Sequence, residues 1–107
     1  AIDIAKTNLS MEGNGHTAGI HSNDQANIIK AGTELSVSRV IVNAICATTA
    51  GGSIQNGLSV TNTLGCGSWG NNSISENFTY KHLLNITRIA PLSARIHVPS
   101  DKEIWED

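Results

Sequence analysis

The sequence predicts an α/β fold organised around one βαβ unit of parallel sheet. Three segments carry that expectation: a short, mostly apolar stretch from His16 to His21, an amphipathic run from Ser22 to Leu35, and a β-branched run from Val37 to Asn43. Strand, helix and strand at this spacing close a βαβ unit, whose crossover should be right-handed. Both faces of a parallel sheet are normally covered, and two strands with two helices are too few to do so. The remaining strands are therefore expected from other polypeptide.

Taken in order, residues 1 to 12 place Ile2, Ala5 and Leu9 on one helical face. The chain starts in what reads as mid-helix, as a truncated chain would. Gly13-Asn14-Gly15 ends that helix, because Gly and Asn tolerate the left-handed conformation of a C-terminal cap. Ala18 and Ile20 share one side of the first strand. Ser22 and Gln25 form a capping box for the second helix, with Asp24 in its first turn at the positive end of the dipole. Ile28, Ala31, Gly32 and Leu35 line its inner face, where the small residues permit close approach to a sheet. The run from Val37 reads as a buried strand.

Residues 44 to 77 change character, being rich in Gly, Ser, Thr and Asn. So long a stretch without regular structure is either functional or disordered, and Trp69 between glycines points to backbone packed closely against something. Thr79 to Leu84 is expected to form a short helix capped by Thr79 or Asn77. Asn85 to Ala90 and Ala94 to Val98 alternate and read as strands, stopped by Pro91 and Pro99. Ser100 to Asp107 reads as an acidic, mobile tail whose Ile104 and Trp105 can dock on a neighbour.

Composition excludes several function classes. Seven basic and nine acidic residues give a net charge of -2, without the electrostatic footprint of a nucleic-acid or acidic-membrane binder. No apolar run approaches the roughly 20 residues that span a bilayer, and the first residues have no signal-peptide pattern. Aromatic residues make up 4%, so few large side chains anchor a core and folding alone has little margin. Cys46 and Cys66 form no CxxC or Cys/His cluster, and read as free thiols of a cytoplasmic protein.

Candidates for chemistry are few. No glycine-rich phosphate loop, GxSxG elbow or HExxH motif occurs. His16 follows Gly-Asn-Gly at a strand end, and is either a turn histidine or a proton carrier at an active-site rim. His21 lies across the strand from it, and His82 and His97 read as exposed. Cys66 between two glycines resembles a nucleophile, but a reactive thiolate needs a cation, a helix N-terminus or a paired base, and only His16 can approach in space. A small side chain lining a pocket is the competing reading, and Cys46 reads as structural. The stretch Gly65, Cys66, Gly67, Ser68, Trp69 and Gly70 has no Lys or Arg, so it suits a substrate-pocket wall better than a phosphate cradle.

The run Gly15-His16-Thr17-Ala18-Gly19-Ile20-His21-Ser22-Asn23-Asp24 resembles the GHTAxIHxxD stretch of the CoA-acylating aldehyde dehydrogenases, of acetaldehyde and sulfoacetaldehyde type. Ser38 to Asn43, Thr63 to Gly70 with Asn72 to Asn77, and Lys81 to Ile86 are similar to further segments of that family, in the same order. The resemblance implies an NAD- or NADP-linked conversion between an aldehyde and an acyl-CoA through a cysteine nucleophile. It also implies a partial catalytic domain (residues 1–78), C-terminal strands of an oligomerisation arm (79–99) and an acidic tail (100–107). His16 carries over as the histidine near the nucleophile, and residues 65 to 70 as an active-site wall. The family's nucleophile and cofactor domain lie upstream of these motifs, and neither Cys46 nor Cys66 matches the nucleophile's motif. Asn71 stands where the family usually has glycine.

The leading expectation is a C-terminal dehydrogenase fragment that is inactive alone. It would bind neither NAD(P) nor CoA by itself, would need the rest of the dehydrogenase chain, and would form homo-oligomers. A non-enzymatic self-association module derived from such an end is the alternative, and an independent thiol enzyme using Cys66 is a third.

Overall fold

In the computed structural model, which describes residues 1–105, strand β1 (Gly15–Ile20) and strand β2 (Val37–Val42) pair in parallel. Gly15 lies opposite Val37, and Ile20 opposite Val42. Helix α2 (Gln25–Glu34) joins them, and helix α1 (Ile2–Met11) precedes β1. The expected βαβ unit is therefore present, as a sheet of two strands among the described residues.

The helical faces read from the sequence make the small core. Ala31, Leu35 and Val37 are buried, and Ile2, Ala5, Leu9, Ala18, Ile20 and Val40 pack around them. Gly32 does not take part: it is exposed, with open space where a Cβ would stand, so Ala31 alone makes the close approach. The cap of α2 is Asp24 rather than Ser22. The Asp24 carboxylate accepts the Ala26 N–H at 2.9 Å, and the Ser22 hydroxyl instead accepts the Asp24 N–H at 3.0 Å. With the cap at Asp24, Gln25 is the first helical residue and sits too early to complete a capping box.

Buried Arg39 and Ile41 of β2 alternate with half-buried Ser38 and Val40. The segment after β2 begins with one helical turn, α3 (Cys46–Thr49), and is then held by hydrogen bonds rather than by regular structure. An antiparallel bridge joins Leu64 to Asn77; the Gly65 N–H donates to the Glu76 carbonyl at 2.9 Å and the Phe78 N–H to the Thr63 carbonyl at 3.0 Å. Glycine at 65 is a steric requirement, since a Cβ there would lie 2.2 Å from the Ile74 carbonyl oxygen.

Beyond this, Tyr80–Leu83 forms a 3-10 turn capped by Thr79, with His82 completing a capping box. Asn77 is not its cap, because its side chain is buried elsewhere. The segments 85–90 and 94–98, expected as strands, form no strand pairing among the described residues and are exposed, and a turn occupies 94 and 95. A strand exists by sharing its backbone hydrogen bonds with a neighbour, and the described residues offer these segments none. The tail, expected to be mobile, forms a short helix α4 (Asp101–Trp105); its last two residues lie outside the described range.

Candidate functional site

His16 and Cys66, fifty residues apart in the chain, meet in space: the Cys66 Sγ lies 3.6 Å from the His16 Nδ1. His16 is the second residue of β1 and is exposed, whereas Cys66 is buried. Gly15 makes this approach possible. Its φ of +81° is left-handed, and a Cβ there would stand 2.0 Å from the Cys66 carbonyl oxygen. Gly70 has the same function on the other side, where a Cβ would meet the Cys66 Cβ at 2.4 Å.

The loop around Cys66 is tightly tied. A 3-10 turn (Ser68–Gly70) follows it, and the Cys66 N–H donates to Asn72 Oδ1 at 3.2 Å. Asn72 returns its own N–H to the Gly67 carbonyl at 2.8 Å, and the Gly67 N–H donates to the Ile74 carbonyl at 2.9 Å. Asn71 has a φ of 56°, in the left-handed region where Asn is the best tolerated residue after Gly. Asn at this position therefore preserves the backbone path that glycine would take.

Arg39, which sequence reasoning did not single out, locks the two halves together. The residue is 6% exposed. Its guanidinium Nε–H donates to Thr17 Oγ1 at 3.1 Å, Nη2 to the Gly65 carbonyl at 2.8 Å and Nη1 to Asn77 Oδ1 at 3.4 Å. Thr17 and Gly65 are the chain neighbours of His16 and Cys66, so one planar cation fixes both. Asn77 extends the lock by donating to the Ala50 carbonyl at 3.1 Å and the Ser59 carbonyl at 2.8 Å. The available signal was an arginine inside a β-branched run, where a cation is tolerated only when its donors are satisfied.

The other candidates fall apart from this centre. Ser68 and Trp69 are exposed, and with Gly67 they border a cleft of about 320 Å³. Gly65 borders a separate cavity of about 210 Å³ beside Ile74 and Phe78. His21 is exposed past the end of β1, and Cys46 is half-buried in α3 against Gly19. His82, expected to be exposed, is half-buried: its ring stacks on Phe78 at 5.3 Å and its Nδ1 accepts the Thr79 N–H at 2.9 Å. Both cysteines are free thiols, and no group of residues suited to a metal ion occurs among the described residues. Burial of Cys66 argues against its acting as a solvent-facing nucleophile. No helix among the described residues is long and apolar enough to cross a membrane.

No family model matches the chain. It is 58% identical over 105 residues to the succinate-semialdehyde dehydrogenase (acetylating) of Clostridium kluyveri, a match that covers 98% of this chain and 23% of that protein. With the sulfoacetaldehyde dehydrogenase (acylating) of Cupriavidus necator the identity is 41%, covering 100% of this chain and 22% of the relative. Among solved structures, an acetylating aldehyde dehydrogenase from Geobacillus thermoglucosidasius superposes with a TM-score of 0.72 at 35% identity, over 92% of this chain and 22% of that one. The chain thus spans under a quarter of the length of these relatives, and by sequence and by fold it belongs to the acylating aldehyde dehydrogenases as a segment of their α/β framework.

Proposed function

We propose that this chain is the C-terminal part of the catalytic domain of a cytoplasmic acylating aldehyde dehydrogenase, which converts an aldehyde, CoA and NAD(P)+ to an acyl-CoA and NAD(P)H. In this reading His16 and the loop 65 to 70 border the acyl pocket, residues 79–99 belong to an oligomerisation arm, and the nucleophilic cysteine comes from elsewhere in the polypeptide. The observation that carries it is the meeting of His16 with the Cys66 loop under the Arg39 lock. An exposed imidazole on a rigid strand end, backed by a fixed wall, suits a group that exchanges a proton with substrate.

The residues present do not fit a dinucleotide. The N-terminus of α2, the natural seat for a phosphate at a strand–helix junction, is already capped by the Asp24 carboxylate, which would repel an anion. Binding of NAD(P) and CoA is therefore assigned to the remainder of the enzyme, and this chain contributes pocket wall and proton handling.

The test is NAD(P)H formation with CoA and a panel of acetaldehyde, succinate semialdehyde and sulfoacetaldehyde. The complete polypeptide is expected to turn over at least one of them, and His16→Gln to lower kcat by about 100-fold. The isolated chain is expected to be silent. Turnover by the isolated chain would overturn the reading, as would full activity of His16→Gln. A second reading, a self-association module without catalysis, is favoured by the exposed apolar side chains of residues 83–105, and an inactive complete polypeptide that still oligomerises would select it.

A further inference from the structure

The thiol of Cys66 has a second neighbour besides His16. Its Sγ lies 4.0 Å from the Leu64 carbonyl oxygen, an atom that can only accept a hydrogen bond. The antiparallel bridge between Leu64 and Asn77 is made by the flanking residues, through Gly65–Glu76 and Phe78–Thr63 hydrogen bonds, so among the described residues it leaves the Leu64 carbonyl without a backbone donor. A thiol has one proton to give. Given to His16, it makes one hydrogen bond and leaves the Leu64 carbonyl unpaired. Given to the Leu64 carbonyl, it leaves sulfur lone pairs facing Nδ1, and a proton on Nδ1 then completes a second hydrogen bond over the 3.6 Å contact. The second arrangement gives the thiol, the Leu64 carbonyl and the His16 Nδ1 a partner each, which is the usual state of partly buried polar groups.

From this we infer that Cys66 is a positioning residue: it holds the His16 imidazole as the Nδ1–H tautomer, with the Nε2 lone pair turned outward as a proton acceptor. In a neutral imidazole the hydrogen bond made by one nitrogen decides which nitrogen carries the proton. The Arg39 lock makes the assignment durable, because its bonds to Thr17 and Gly65 keep sulfur and ring at a fixed separation. The glycines at 15 and 70 exclude any side chain that would push Cys66 away. No covalent role for the thiol is involved, in keeping with its burial. This inference rests on the proposed function only where it concerns catalysis.

The experiment uses the complete polypeptide labelled with 15N-histidine, its His16 ring signals assigned by loss in His16→Gln. At a pH where the ring is neutral, the wild type and Cys66→Ser are expected to show the Nδ1–H tautomer. Cys66→Ala should revert to the Nε2–H form that imidazole side chains prefer in water. A wild-type spectrum showing Nε2–H, or identical tautomers in wild type and Cys66→Ala, overturns the inference, and the wild-type spectrum needs no variant to fold. In the catalytic assay Cys66→Ala should lower kcat about tenfold with KM within about twofold, and Cys66→Ser should restore most of it. If His16→Gln is fully active while the tautomer result stands, the failure belongs to the proposed role of His16 and not to the positioning by Cys66.

Discussion

Gly15 and Gly32 show how differently the same residue type is constrained. Gly15 combines a φ of +81° with a virtual Cβ 2.0 Å from the Cys66 carbonyl oxygen, whereas Gly32 lies in a helix with nothing within 4 Å. Gly15→Ala is expected to destabilise the complete polypeptide by about 3 kcal/mol, since strain and overlap add. Gly32→Ala should stabilise α2 by about 0.5–1 kcal/mol, because glycine loses more backbone freedom in a helix than alanine does. Unfolding midpoints of the two variants, moving in opposite directions from the wild type, check the pair; equal shifts would contradict it. At this scale the sequence was legible where a motif marked the spot, as with His16 after Gly-Asn-Gly and Cys66 between glycines. Arg39 and Asn77 escaped because the one local signal, an arginine inside a β-branched run, does not say which groups would satisfy it. Their role exists only once the chain has brought positions 17, 39, 65 and 77 together.

Elements were legible where the apolar period is strong: the inner faces of α1 and α2 and the span of both strands follow the hydrophobic pattern. The segment from 44 to 77 was not, because its order comes from side-chain and backbone hydrogen bonds across loops rather than from a period. The Arg39 lock gives that claim a test. Arg39→Met keeps an unbranched apolar stem but leaves the Gly65 carbonyl and Asn77 Oδ1 without the guanidinium donors, at a cost of about 3 kcal/mol. Arg39→Lys should recover only part of this, since an ammonium lacks the planar fork that reaches three acceptors. Amide exchange in residues 63 to 78 should accelerate well before that of α1 and α2; uniform acceleration would show that the lock is not local. Helix α4 was missed, the tail being read as mobile, although the Ser-x-x-Glu pattern of Ser100 and Glu103 marks its start. The Ser100 N–H reaches the Glu103 carboxylate at 2.8 Å and the Ser100 hydroxyl at 2.9 Å, with the His97 Nε2 at 3.3 Å, and together they hold the Glu103 carboxyl below its usual range. A depressed folded value means that the stabilisation is complete above the ordinary glutamate value and is lost as pH falls through the lower one. Helical shifts of residues 101–105 should therefore fade in that acid window, and Glu103→Gln should abolish the dependence.

The dimensions of the whole chain carry the argument for missing neighbours further than any single contact. Its radius of gyration is 19.3 Å, against about 13 Å for a compact domain of this length. Exposed apolar side chains crowd residues 83 to 105, where Leu83, Ile89, Leu92 and Trp105 stand 73 to 97% exposed. Apolar side chains of that size are normally withdrawn from water at about 25 cal/mol per Å² of area, and here they have no surface to meet within the described chain. The sheet repeats the pattern on a smaller scale, because β1 and β2 have only each other as strand partners and no further strand among the described residues covers either outer edge. Parallel strands of this kind are stable when helices and further strands enclose them, and α1 with α2 shields only part of them. The isolated chain is therefore expected to self-associate and to bind an apolar dye such as anilinonaphthalene sulfonate, with a scattering mass that rises with concentration. The same residues inside the complete polypeptide should bind the dye weakly. A monodisperse monomer of the isolated chain that leaves the dye dark would mean that these apolar side chains find each other in solution, and the case for an enclosing enzyme would then rest on likeness of sequence and fold alone.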